Sequence, residues 1–214
     1  MQIAIVLYDR VTALDAVGPY EVLSRLPGAE TVFVGERTGL VRNDVGSLGL
    51  AVDATFEEVP GPDIVVVPGG PGQVAHMEDG PVHAWLREAD RGSTATTSVC
   101  TGSLILAAAG LLKGRRATTH WLALDQFPAW GVTPTGERVV TDGKYITAAG
   151  VSSGIDMALT LAGRIGGDAL GQSIQLGIEY DPIPPYDSGS PEKAPAEVVA
   201  AMRARSRFIL LGED

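Results

Sequence analysis

Two short stretches constrain this chain more than any others. IAIVLY (Ile3 to Tyr8) and DIVVVP (Asp63 to Pro68) stay apolar through consecutive positions instead of alternating with polar ones. A strand wetted on one face alternates with a period of two, so these runs predict strands covered on both faces by helices, as in a parallel sheet. TVFVG (Thr31 to Gly35) and TATTSV (Thr94 to Val99) fit the same role, with helices expected near Pro19 to Leu26 and Pro81 to Arg91. Alternating strands and helices joined by right-handed crossovers imply an α/β fold, a doubly wound three-layer sandwich with a mostly parallel central sheet.

Further along, RVVTDGKYITAAG reads as a hairpin around Asp142-Gly143, and GIDMALTLAGRIGG (Gly154 to Gly167) as a helix ending in glycines. Residues 181–195, DPIPPYDSGSPEKAP, are too rich in proline, serine and glycine for regular structure and read as a loop or extended arm. AEVVAAMRARSRFILL then reads as a closing structural helix. With 214 residues, the chain is expected to form one domain over 1–214.

Acidic residues outnumber basic ones 26 to 16, a field that repels phosphate backbones and anionic membranes, so neither nucleic acid nor membrane is an expected partner. The apolar runs are far shorter than the roughly 20 residues of a spanning helix. One cysteine forms no internal disulfide, and MQIAIVLYD lacks the features of a secretion signal, which together point to the cytoplasm.

That cysteine, Cys100, stands in TTSVCTGSLILAAAGLL, where a β-branched run turns into a helical pattern. In open parallel sheets chemistry collects at the carboxyl edge of the strands, where helices begin. A sharp strand-to-helix turn there exposes a nucleophile, and a helix N-terminus favours its thiolate. The alternative is inert packing, the usual role of a lone cysteine.

The Thr101 amide follows the candidate nucleophile, where an oxyanion donor sits in hydrolase elbows. PGGPG (Pro68 to Gly72) follows a second core strand, and Gly70 is the expected second donor unless the loop is an ordinary turn. Asp15, in ALDAVGPYEVL, precedes Gly18-Pro19, where proline can open a helix. A carboxyl buried beside a thiol resists ionising and can hand over a proton; the plainer role is a turn or cap acceptor. His120, in RRATTHW, could relay protons or be structural. Glu21 is a weaker candidate, and His76 and His83 read as solvated. Trp121, Ile155 and the Pro182 to Tyr186 stretch are candidates for substrate lining or for packing.

The cysteine elbow, the PGG loop and the acidic residue after the first strand together resemble the ThiJ/PfpI superfamily over nearly the whole chain. LDAVGPYEVL, SVCTGSLILAAAGLLKGRRATTHW and IEYDPIPPYDSGSP are similar to its members that hydrate isonitriles. The resemblance implies a flavodoxin-like fold with a cysteine nucleophile elbow, a homodimer, and no metal or organic cofactor. It implies Cys100 as nucleophile, Asp15 and Thr101 as its polar partners, and an anion site at the Gly70 and Thr101 amides; His120 and Trp121 are candidate substrate contacts from their place shortly after the cysteine helix alone. The implied substrate is a small isonitrile, R–N≡C, hydrated to an N-substituted formamide through a thioimidate on sulfur.

Other members of the superfamily supply competing readings. Protease-like members place histidine directly after the cysteine, where this chain has Thr101. A transcription regulator would need a helix-turn-helix domain, for which the residues after Pro195 are too few. A glyoxalase or α-oxoaldehyde hydratase, usually with glutamate in place of Asp15, is the enzymatic alternative. A redox sensor is the non-enzymatic one, since an exposed thiolate oxidises readily.

Overall fold

The structure, a computed structural model, describes residues 1–206. Strand β1 (Gln2–Val6) leads into helix α1 (Ala13–Leu23) and then β2 (Glu30–Gly35). Short strands β3 (Gly39–Arg42), β4 (Gly49–Val52) and β5 (Ala54–Thr55) precede β6 (Ile64–Val67), helix α2 (Pro81–Gly92), β7 (Ala95–Val99) and α3 (Gly102–Ala108). After them come β8 (Arg116–Ala117), β9 (Thr133–Pro134), β10 (Val139–Asp142), β11 (Tyr145–Ala148), and helices α4 (Ser153–Gly166), α5 (Asp168–Gly177) and α6 (Ala196–Ala204).

Seven strands form the main sheet in the order β10-β11-β7-β6-β1-β2-β5, with only β10 antiparallel to its neighbour. The two continuous apolar runs lie side by side at its centre, Ile3 to Ile5 registered against Ile64 to Val66. Every residue of β6 is buried, which is why no position of IVVV is polar. Helices α1 and α4 pack together on one face and α2 and α3 on the other, the arrangement that right-handed crossovers impose. This is the expected doubly wound α/β sandwich.

The hairpin forms as anticipated, with Asp142 opposite Tyr145 and Gly143 at φ 64. Residues 181–195 carry no regular structure. The closing helix covers Ala196–Ala204 and stops before Arg205 and Ser206; Arg207 to Leu211, also expected in it, lie outside the described residues. Among the described residues no helix is long and apolar enough to cross a membrane.

One expected boundary is wrong. Pro19 does not open α1, which begins six residues earlier at Ala13. Thr12, extended at φ −75 and ψ 115, starts the helix and donates its own amide to the Gly69 carbonyl at 2.8 Å. The anchored first turn overrides the proline signal. Pro19 then lies inside the helix, where its missing N–H deprives the Asp15 carbonyl of its helical donor. Close packing accompanies this geometry: a Cβ on Gly18 would lie 3.2 Å from Ile155 Cγ1, and one on Gly154 would lie 3.3 Å from Pro19 Cδ. Ile155, one of the lining candidates, is therefore at least partly a packing residue against α1.

Candidate active site

Cys100 follows the last residue of β7 and has φ 55, a left-handed conformation that costs a non-glycine residue roughly 1–2 kcal/mol. The surrounding backbone holds it there. Its N–H donates to the Ala148 and Ala149 carbonyls at 3.1 and 2.9 Å, and its carbonyl accepts the Ser103 and Thr119 hydroxyls at 3.0 and 2.9 Å. Gly102, the next residue but one, presses on β6 so closely that a Cβ would overlap the Val67 carbonyl oxygen. The glycine of the CTG triplet is thus a packing requirement of the elbow.

The sulfur is surrounded by polar groups. The Thr101 and Val151 amides and the Thr101 hydroxyl favour its anionic form, the Asp15 carboxyl opposes it, and the Thr101 hydroxyl also faces the Gly70 carbonyl at 3.4 Å. Asp15 stands in the first turn of α1, completely buried, with Oδ2 accepting the Gly69 N–H at 3.0 Å. Its Oδ1 is also buried and has no nitrogen or oxygen partner. The loop after β6 therefore positions both of the sulfur's polar neighbours: Gly69 holds Asp15, and Gly70 donates to Thr101 Oγ1 at 3.0 Å.

This geometry corrects two expectations. The sulfur was expected to be exposed and ionised, but Cys100 has no exposed surface. Burial, reinforced by the nearby Asp15 charge, pushes the thiol well above its ordinary range, outweighing the donations from Thr101 and Val151. Here the loss of solvation on burial outweighs what the elbow's backbone donors give the anion. Second, the Gly70 and Thr101 amides do not stand ready for an oxyanion. The first is engaged by the Thr101 hydroxyl and the second by sulfur.

Asp15 itself is pushed up to about 7, chiefly because burial penalises the carboxylate, against the opposing pull of the Gly69 amide and the Cys100 thiol. At neutral pH the carboxyl is therefore present in both forms. Tyr8, at the carboxyl end of β1, donates its hydroxyl to the Pro68 carbonyl at 2.8 Å and is also pushed up, by burial and by the Asp15 and Cys100 charges. Tyr8 and Val151 were missed in the sequence. Tyr8 carried a usable signal, a hydroxyl closing an apolar strand; Val151, with φ 20, carried none.

His120 is brought to the margin of this cluster. A Cβ on Gly150, the residue before Val151, would meet its Cδ2 at 2.9 Å. Burial lowers its pKa to about 4, and its Nδ1 accepts the Leu122 amide at 3.3 Å, so the ring is neutral with its proton on Nε2. Trp121, half-buried, stacks on it with ring centroids 5.9 Å apart. Glu21 is not in the site: it pairs with Arg25 at 2.8 Å on the outer face of α1.

The histidines expected in solvent are not there. His83 is fully buried, with Nδ1 accepting the Gly80 amide at 3.1 Å and Nε2 bonded to the His76 carbonyl at 3.0 Å. His76 is half-buried, its ring edge-on to Tyr8 at 4.9 Å. His76 ends the short turn after the PGG loop and His83 lies in the first turn of α2, where its ring nitrogens replace water with backbone groups. Among the described residues no group of three or more His, Cys, Asp or Glu could hold a metal ion.

The profile of the DJ-1/PfpI family matches residues 1–164. An isonitrile hydratase from Pseudomonas putida is 45% identical over 206 residues, covering 96% of this chain and 90% of that protein. The crystal structure of a ThiJ/PfpI family protein from Pseudomonas syringae superposes with a TM-score of 0.92 at 38% identity, covering 95% of this chain and 85% of that one. The HTH-type transcriptional regulator CdhR of Pseudomonas aeruginosa is 44% identical over 90 residues, only 26% of its length.

Proposed function

Because the chain belongs to the DJ-1/PfpI family, we propose that it is an isonitrile hydratase, converting R–N≡C and water to R–NH–CHO with Cys100 as nucleophile. The observation that carries this reading is the buried Asp15 carboxyl, titrating near 7 beside the Cys100 sulfur and held by the Gly69 amide. Thiol addition to an isonitrile leaves the electron pair on carbon, and that carbon must be protonated. A proton shuttle next to sulfur is what the step requires; an oxyanion hole is not.

In the first step the Asp15 carboxylate takes the thiol proton as sulfur attacks the terminal carbon, then delivers it to that carbon. The product is the thioimidate R–N=CH–S–Cys100. In the second step Asp15 takes a proton from water as the water oxygen adds to the thioimidate carbon, and passes that proton to the nitrogen. Collapse of R–NH–CH(OH)–S–Cys100 transfers the hydroxyl proton back to sulfur and releases the formamide. Thr101, through its amide and hydroxyl, stabilises the sulfur anion that forms in passing.

A glyoxalase-type reaction passes through an anionic carbonyl oxygen, and the Gly70 and Thr101 amides that would serve it are engaged elsewhere. A redox sensor needs an accessible, low-pKa thiol, whereas Cys100 is sealed and raised. Homodimerisation belongs to the same proposal. It is supported by the exposure of Ile183 and Tyr186 on the extended arm, 88% and 79%.

The test is a panel of isonitriles and α-oxoaldehydes. Formamide should appear only from isonitriles, Cys100→Ala should make none, and mass spectrometry should find the intact isonitrile mass added to Cys100. Turnover without the sulfur, or of oxoaldehydes alone, overturns the reading.

A further inference from the structure

Resting on the isonitrile reading, we propose that Tyr8 is a positioning residue for the proton shuttle: its hydroxyl holds the carbonyl end of the one peptide unit whose amide end holds Asp15. The Tyr8 hydroxyl donates to the Pro68 carbonyl at 2.8 Å, and the Gly69 amide donates to Asp15 Oδ2 at 3.0 Å. That carbonyl and that amide belong to the same peptide, the one joining Pro68 to Gly69. A trans peptide is planar, with its oxygen and its hydrogen on opposite edges, so the two cannot turn independently. A hydroxyl that fixes the oxygen also aims the hydrogen at the carboxyl.

The coupling is electronic as well as geometric. A donor at the peptide oxygen draws electron density from the amide nitrogen, and hydrogen bonds in such a chain strengthen one another by about 10–30% each. The Gly69 amide favours the charged form of Asp15, against the burial that disfavours it. Tyr8 therefore acts on Asp15 from the far side of the peptide. Removing its hydroxyl weakens the backbone donor that counters burial and makes the carboxyl hold its proton to higher pH.

Tyr8 is suited to this role. It lies two residues past the end of β1, it is buried, and its ring is braced edge-on by His76 at 4.9 Å. Burial and the charges of Asp15 and Cys100 push its own pKa up, so it remains a donor throughout the range in which Asp15 titrates. The other titratable groups around the pair are Cys100 on the elbow, Asp44 in the turn after β3, whose charge also raises Asp15, and His76 with Glu36 beyond it.

The rest of the loop is held independently. The Gly69 carbonyl accepts the Thr12 amide at 2.8 Å, and Gly69 lies so close to the elbow that a Cβ on it would stand 2.5 Å from the Thr101 nitrogen. Losing the Tyr8 hydroxyl loosens one peptide without releasing the loop.

The experiment follows the carboxyl directly, by NMR of protein carrying isotope-labelled aspartate carboxyls, with the Asp15 signal identified by its loss in Asp15→Asn. Its midpoint is measured in the wild type and in Tyr8→Phe, alongside the pH profile of kcat/KM for cyclohexyl isonitrile. Tyr8→Phe is expected to raise both midpoints together by at least about 0.3 pH units, roughly a twofold weaker preference for the carboxylate. A folded Tyr8→Phe whose carboxyl midpoint is unmoved or lower overturns the proposal, even if turnover falls, since a merely structural hydroxyl would lower turnover alone. Should Tyr8→Phe not fold, Tyr8→3-fluorotyrosine keeps the ring and donates more strongly. A lower midpoint there supports the role and an unchanged one overturns it. A wild type that makes no formamide overturns the functional reading instead, and the carboxyl midpoints still decide the role of Tyr8.

Discussion

The Gly69 amide donates to Asp15 Oδ2 across 3.0 Å, joining the loop after β6 to the first turn of α1 directly beside the reactive sulfur. Asn in place of Asp keeps an oxygen that can accept this bond but cannot carry a proton. Asp15→Asn should therefore fold normally and lose activity by roughly 10²–10⁴-fold. Wild-type kcat/KM should rise with pH about a midpoint near 7, as the carboxylate that accepts the thiol proton forms. Steady-state formamide production between pH 5 and about 9, with melting curves for both proteins, checks both statements. Near-normal turnover in the variant would reassign the shuttle.

The same carboxyl makes stability depend on pH. Its pKa is raised from 3.8 to about 7 on folding, so between those values the folded state holds a proton that the unfolded chain releases. Its contribution to stability is greatest at acid pH, declines as pH rises to about 7 and is level above that. The full difference is about 4 kcal/mol. Asp15→Asn, neutral throughout, should gain stability relative to the wild type by up to that amount between pH 4.5 and 8 in urea titrations. A gap that shrinks with rising pH would contradict the assignment.

Two glycines separate strain from collision. A Cβ on Gly102 would overlap the Val67 and Pro68 carbonyl oxygens, whereas Gly110, at φ 81, has open space around it. Gly102→Ala should cost about 3 kcal/mol or more and disable the elbow. Gly110→Ala should cost only about 1 kcal/mol, from its backbone conformation alone, and leave turnover intact. Thermal denaturation and activity of the two variants test the contrast.

The sheet was legible because burial on both faces leaves an unmistakable mark: IAIVLY and DIVVVP could be little else. The elbow was legible from the abrupt change at Cys100, and Asp15 from its place after the first strand. What escaped depends on contacts distant in sequence. Whether a helix-terminal cysteine ionises is decided by the water around it, and Val151 comes from the loop after β11, some fifty residues away in the chain. Gly70 was recognised as important, but no local pattern says that its amide faces the Thr101 hydroxyl. His83 misled because a histidine satisfied by backbone groups has the same neighbours in sequence as one in solvent. Pro19 misled because proline preference is weaker than the tertiary anchoring of Thr12 to Gly69.

The absence of any accessible surface on Cys100 has a kinetic meaning. A reactant can reach the atom only while its shell breathes, so the frequency of those openings sets a ceiling on turnover however fast the bonds rearrange. The same gating keeps peroxides and stray electrophiles out between cycles, trading speed for a nucleophile that survives.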